Sequence, residues 1–287
     1  KALSPQAKRL AVNKMREEVR ISERRACGLI TIARTTLRRV VEEPAENVTL
    51  TARIVDLAHA RRRFGYRRIH DLLRREGVQA NHKRVYRLYS EAGLSVRKRR
   101  RRKLVMLDRQ ILQQSAGPNE TWSMDFVMDT LANGRRIKCL TVVDDFTREC
   151  LDIAVDFGIS GEYVSRVLDQ IGQFRGLPKA IRTDQGPEFT SRALDRWAYA
   201  QRVDLKLIAA GKPTQNAYIE SFNGKFRDEC LNDHYFNNLA HARAIIGEWR
   251  RDYNEARPHS SIGRIPPAEF AARHRLQLSN DVTREIV

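Results

Sequence analysis

Trp122-Ser123-Met124-Asp125-Phe126-Val127-Met128 decides the fold class. Its side chains alternate with period two. Met124, Phe126 and Met128 fall on one face of a strand, and Ser123, Asp125 and Val127 on the other. A carboxylate in the middle of such a strand is expensive unless it is paired or holds a metal. Downstream, Asn133-Gly134 is a strong hairpin turn, and apolar runs follow at 137–143 and 149–155. Three consecutive antiparallel strands result. Ser160 then caps a helix with Val164, Val167, Leu168, Ile171 and Phe174 at helical spacing. Ala180-Ile181-Arg182-Thr183 is a short strand ending at Asp184, and Gly186 and Pro187 open a helix with Phe189, Leu194 and Trp197. Another strand spans 205–208, and helices cover about 215–230 and 239–253. Residues 117–275 thus read as a layered α/β domain on a mixed sheet.

Charge separates this domain from what precedes it. Of the 287 residues, 1–110 carry 30 Lys+Arg against 11 Asp+Glu, a balance of +19, while 111–287 carry 23 against 24. A polyanion-binding front joined to a near-neutral globular back is implied. With 41% hydrophobic residues the chain can bury a core. No stretch reaches the ~18 apolar residues of a membrane helix, and the opening Lys-Ala-Leu-Ser-Pro lacks an apolar signal core. Both point to the cytoplasm. Cys27, Cys139, Cys150 and Cys230 form no CxxC pair, which suits buried thiols in a reducing compartment.

The basic front divides in two. In 1–47, a helix over 6–19 is followed by one capped by Ser22, then by a helix over about 33–41 that displays Arg34, Arg38 and Arg39. The pattern is that of a helix-turn-helix, although Thr31 stands where Gly is usual and Ala33 is a poor cap. In 48–96, Ile69, Leu72 and Leu73 line one helix. Asn81 caps another, which turns Val85, Leu88 and Tyr89 inward and Lys83, Arg84 and Arg87 outward. This second helix-turn-helix presents those cations to DNA bases and phosphates, and His70 and His82 read as surface residues. Arg97, Lys98, Arg99, Arg100, Arg101, Arg102 and Lys103 cannot pack in a core; with 104–116 they form a linker suited to a phosphate backbone. Residues 276–287 form a tail.

Three carboxylates carry the chemistry: Asp125 in its strand, Asp184 at the carboxyl end of another, and Glu220 on the 215–230 helix. On that helix Ile219, Phe222, Phe226 and Cys230 fall within about 80° of arc, while Asn216, Glu220 and Arg227 share a polar stripe about 40° wide. One helix can therefore dock an apolar face and still aim an acid and a cation along its edge. Converging acids repel, and divalent cations are the usual remedy. Oxygen-only ligands favour Mg²⁺ or Mn²⁺, and two such ions activate an attacking oxygen and stabilise the leaving oxygen of a phosphodiester.

The order Asp125, Asp184, Glu220, with 35 residues between the last two, resembles the DDE signature of transposases and retroviral integrases. The words around it resemble bacterial insertion-sequence transposases of the integrase type. They are Thr121-Trp122-Ser123-Met124-Asp125-Phe126, Val143-Asp144-Asp145-Phe146-Thr147-Arg148, Thr183-Asp184-Gln185-Gly186-Pro187-Glu188-Phe189, Asn216-Ala217-Tyr218-Ile219-Glu220-Ser221-Phe222-Asn223-Gly224-Lys225, Tyr253-Asn254 and Arg257-Pro258-His259-Ser260-Ser261. The resemblance covers nearly the whole chain. It implies an RNase H-like core behind all-α helix-turn-helix domains, and two Mg²⁺ ions on Asp125, Asp184 and Glu220. Its substrates are double-stranded DNA, as terminal inverted repeats and as target. It also implies a homo-oligomer, at least a dimer, bridging two element ends, at work in the bacterial nucleoid. The family's basic residue seven after the glutamate is matched by Arg227. Many relatives are frameshift fusions with an upstream-frame product, which the non-Met start of this chain fits. Gln185 replaces the usual Asn. With Cys27 the only cysteine before residue 139, the zinc-binding domain of retroviral integrases has no ligands here.

Blander roles compete for several residues. Asp144 and Asp145 suit a structural turn better than a metal. Arg227 divides evenly between a DNA contact and an ion pair supporting Glu220. Tyr253 and His259 can pack in the core or approach the scissile DNA, and Trp122 is a core residue. Two other functions stay open: a sequence-specific repressor using only the basic front, and an RNase H-like nuclease that cuts without joining.

Overall fold

A computed structural model describes residues 4–39, 44–96, 115–208 and 217–285. They group into two compact units, 1–53 and 54–287.

The first unit holds α1 (Pro5–Glu18), α2 (Glu23–Ile30) and α3 (Arg34–Arg38). Ser4 and Ser22 cap the first two, accepting from the Ala7 and Arg25 amides at 3.2 and 3.3 Å. Val12, Ala26 and Cys27 form its core, flanked by Met15, Ile21 and Ile30. α2 ends on Thr31 at φ 58°, a left-handed position that a β-branched residue rarely takes. The third helix is shorter than its pattern suggests. It stops at Arg38, and Arg39 is extended (ψ 107°) rather than helical. Val40 and Val41 lie outside the described residues.

In the second unit, α4 (Ala45–Ala60, its residues from Ile54 on) precedes α5 (Tyr66–Arg75) and α6 (His82–Glu91). Buried Ile69, Leu73, Val85, Leu88 and Tyr89 join the last two, and the Asn81 side chain caps α6 through the Lys83 amide at 2.9 Å. His70 is not a surface residue. It is half-buried, with Nε2 3.0 Å from the Ala80 carbonyl, because the turn between α5 and α6 folds back over it. His82 is exposed.

Beyond the linker, β1 (Thr121–Thr130), β2 (Arg136–Asp144) and β3 (Cys150–Asp156) pair antiparallel. β4 (Ala180–Thr183) and β5 (Asp204–Leu207) run parallel to β1, giving the order β3-β2-β1-β4-β5. Both faces are covered. Trp122, Met124, Leu140 and Val142 pack under α7 (Gly161–Arg175) and α8 (Arg192–Gln201). On the other face Val127, Cys139, Val143 and Val155 pack under α9 (Ala217–Glu229) and α10 (Leu239–Glu255). Asp125 shares the second face, as the alternation requires. Three antiparallel strands, two parallel ones and helices on both sides make an RNase H-like core. The edge strand β3 is blunted from α10: Arg243 donates to the Val155 carbonyl at 2.8 Å and Arg250 to that of Leu151.

Two further elements differ from their sequence pattern. The helix expected to open at Gly186-Pro187 starts at Arg192, capped by Ser191, because residues 187–190 make a turn. A last helix, α11 (Pro267–Glu285), extends into the stretch read as a tail.

Candidate active site

Asp125 sits mid-strand on β1, opposite Thr141 of β2. Its carboxyl is only partly exposed. The Phe126 amide donates to Oδ1 at 2.7 Å, and the Asn223 amide group donates to Oδ2 at 2.8 Å. Asn223 is held in turn by the Thr141 hydroxyl, 2.9 Å from its Oδ1 and 3.1 Å from the Asp125 carbonyl. Burial pushes the Asp125 carboxyl above the usual range. The negative charges of Asp184 and Glu220 push the same way, and the two hydrogen bonds hold it partly back.

Asp184 follows the last residue of β4 and is exposed. The Gly186 amide donates to its Oδ1 at 3.0 Å. A Cβ on Gly186 would stand 3.1 Å from that oxygen and 3.5 Å from Glu188 Oε2, so glycine lets the loop close on both acids. Glu220 is exposed in the first turn of α9, one turn before Asn223. Asp184 and Glu220, from two other elements, are thus both near enough to act on the Asp125 carboxyl. Among the described residues, no three His, Cys, Asp or Glu side chains stand close enough to ligate one ion as they are. The donor set is oxygen only and suits a hard divalent cation.

Sequence reasoning missed the residues that brace this site. Asn223 is three residues beyond Glu220, a spacing that returns to the same side of a helix, but its partner lies on another element. Lys138 and Glu188 form a partly buried ion pair, with the Lys138 ammonium 3.8 Å from the centre of the Phe126 ring. Phe126 stacks on Phe189 at 4.8 Å. This packing ties the 184–190 loop to β1 beside Asp125.

The other residues scatter. Arg227 is exposed and donates to the Met128 carbonyl at 3.2 Å; it makes no ion pair with Glu220. Arg34, Arg38 and Arg39 are exposed, but Arg34 and Arg38 both hold Glu23, at 3.2 and 2.9 Å. Lys83 and Arg87 project into solvent from α6, with Arg84 half-buried between them. Residues 97–103 lie outside the described residues. Asp144 is fully buried and accepts from the Phe146, Thr147 and Asn119 amides and from Arg175. Asp145 accepts from Ser123 at 2.6 Å and Arg182 at 2.8 Å; burial lifts it to about 6. Both organise the turn after β2. Tyr253 and His259 are buried with their rings edge to face at 4.7 Å, so they pack rather than project.

Comparison with known proteins places this architecture. Residues 115–213 and 201–267 match the Integrase core domain family, and 45–103 match the HTH-like domain family. The chain is 67% identical over 261 residues to a 31.7 kDa protein of insertion element IS407 from Burkholderia multivorans, covering 91% of this chain and 94% of that one. It is 60% identical over 281 residues to a 39.2 kDa protein of IS476 from Xanthomonas euvesicatoria, covering 98% and 81%. The transposase of IS904 from Lactococcus lactis is 27% identical over 248 residues, covering 81% and 97%. The chain belongs to the insertion-element transposases built on an integrase core, polynucleotidyl transferases of the DDE type.

Proposed function

We propose that the protein binds the terminal inverted repeats of its insertion element, cleaves a strand at the element end, and joins the freed 3′-OH to target DNA. Asp125, Asp184 and Glu220 are the catalytic acids of this reading. The observation that carries it is the Asp125 carboxyl, raised by burial and by the nearness of both other acids. A half-buried acid gathered with two more gains little for stability and suits a shared cation.

The three carboxylates would hold two Mg²⁺ ions, with Mn²⁺ an alternative, which supply charge neutralisation and Lewis-acid activation at phosphorus. The remaining work falls to this chain. Asn223 and Thr141 fix the rotamer of Asp125, and the Gly186 amide orients Asp184. Arg227, exposed on α9 beside Glu220, meets the DNA backbone. Lys83, Arg84 and Arg87 of α6, Arg34, Arg38 and Arg39 of the first unit, and the 97–103 run contact the repeats. Glu23 gives up Arg34 and Arg38 to phosphate readily, since surface ion pairs hold weakly. A dimer or larger homo-oligomer brings two element ends together, in the nucleoid, with an upstream-frame product as a further partner. Among the described residues, no helix is long and apolar enough to cross a membrane.

Incubation with labelled inverted-repeat DNA and Mg²⁺ tests the proposal. Strand-transfer products are expected. Cutting without joining would mark a nuclease, and binding without cutting a repressor.

A further inference from the structure

The face of α9 that carries Lys225 is not used by the three acids. At 100° per residue, Lys225 lies about 140° around the helix from Glu220. Tyr218, Ser221 and Glu229 share its stripe. Four cations meet there: Arg68 from α5, Arg148 from the turn after β2, Arg257 from the loop after α10, and Lys225 itself. Glu229 is the carboxylate bonded among them, and it is already engaged; Asp145, near Arg148, and Asp228, near Arg68, are held by Arg182 and Arg63. Arg257 grips both oxygens of Glu229, at 2.6 and 2.5 Å, and Arg68 donates to it at 2.8 Å. Lys225 is left with the Ser221 hydroxyl at 3.2 Å. The Arg148 guanidinium lies 3.7 Å from the centre of the Tyr218 ring, and its Nε and Nη1 are buried without any hydrogen-bond acceptor. Its backbone is held at φ 63°, an uncommon position for arginine.

Unmatched positive charge of this kind needs an anion. Burial, then the charges of Arg257, Arg68 and Arg148, depress the Lys225 ammonium to about 8, with Glu229 only partly opposing. Buried N–H donors without acceptors are costly and are rarely left so. Lysine as a point charge and a neighbouring hydroxyl are donors that phosphate oxygens accept from, and a guanidinium behind them adds its positive charge. Ser221 is exposed and Lys225 half-buried, so this edge of the cluster reaches solvent.

We propose that Lys225, Ser221 and Arg148 form a phosphate seat on the back of α9 that takes one phosphodiester group of a DNA strand, apart from the bond being cut. The proposal rests on the reading of this chain as a DNA-processing enzyme. It places a second strand contact on the helix that carries Glu220, on the opposite side.

Two measurements on the full chain test it. In the first, affinity for a fixed duplex is followed against NaCl concentration. Each phosphate contact contributes about 0.9 to the slope of log affinity on log salt, so Lys225→Gln should lower the slope by about 1 and Lys225→Arg should restore it. In the second, inorganic phosphate at constant ionic strength should raise the melting temperature of the wild type more than that of Lys225→Gln. An unchanged slope in Lys225→Gln overturns the strand contact, even where inorganic phosphate still stabilises. Equal phosphate stabilisation of both proteins overturns the seat itself. A wild type without salt-sensitive DNA binding would instead defeat the DNA reading on which the proposal stands.

Discussion

Besides the Phe126 amide next to it in the chain, Asp125 is pinned by the side-chain amide of Asn223, which belongs to the same helix as Glu220. A hydrogen bond to a carboxylate is worth about 1.5–3 kcal/mol. Asn223→Ala should therefore slow strand cleavage roughly 10- to 100-fold with DNA affinity unchanged, read by single-turnover kinetics beside a binding isotherm. The acids themselves are less forgiving. Asp125→Asn or Glu220→Gln should abolish Mg²⁺-dependent cleavage and joining, a loss of at least about 10³-fold, and leave DNA binding intact; joining at a near-native rate would remove the residue from the catalytic set. His259 gives a pH signature. Burial, then the charges of Arg257, Lys225, Arg68 and Arg148, lower its imidazole from 6.5 to about 2. The unfolded chain takes a proton on this ring below about pH 6.5 and the folded chain does not. The stability contributed by the neutral ring is thus complete above that pH and is lost as the pH falls. Melting temperatures between pH 7 and 4 should fall less steeply for His259→Asn than for the wild type.

At the scale of elements, Gly161 opens α7 where the chain passes closest to the Ser191 cap of α8. A Cβ there would lie 1.8 Å from Ser191 Oγ and 3.0 Å from the Glu188 carbonyl. Gly161→Ala should cost about 1–3 kcal/mol by overpacking, seen as a lower melting temperature. It should also reduce cleavage more than DNA binding, since the displaced 188–191 segment adjoins Asp184. Much of this layer is legible in the sequence, because Ser160, Asn81 and Ser22 cap where capping residues stand before apolar periodicity. The start of α8 was not: Gly-Pro signals a turn as well as a helix start, and the Ser191 cap decided. Asp125 was legible because a charge interrupts an apolar strand. Asn223 and Lys138 were not, because their partners lie on other elements and no local pattern reports a tertiary hydrogen bond.

Within the larger unit, the excess of basic residues before residue 110 is misleading as a map of DNA contacts. Several of them are used inside the protein: Arg61 pairs with Asp252, Arg68 with Glu229, and Arg75 with Glu269. Net charge counts cations and cannot say which already have partners. Glu229 is the centre of this set, held by Arg68 and by the buried Arg257. Glu229→Gln strips two guanidiniums of their carboxylate and should cost about 3–5 kcal/mol, a fall of roughly 10 °C in melting temperature. It should also speed limited proteolysis between residues 60 and 75. A different margin of the same unit limits how copies of the chain can meet. Arg243 and Arg250 plug the outward carbonyls of β3 with their own N–H groups. A strand from a neighbouring molecule finds no free acceptors at those two positions, so stacking copies into a continuous ribbon is discouraged on that flank.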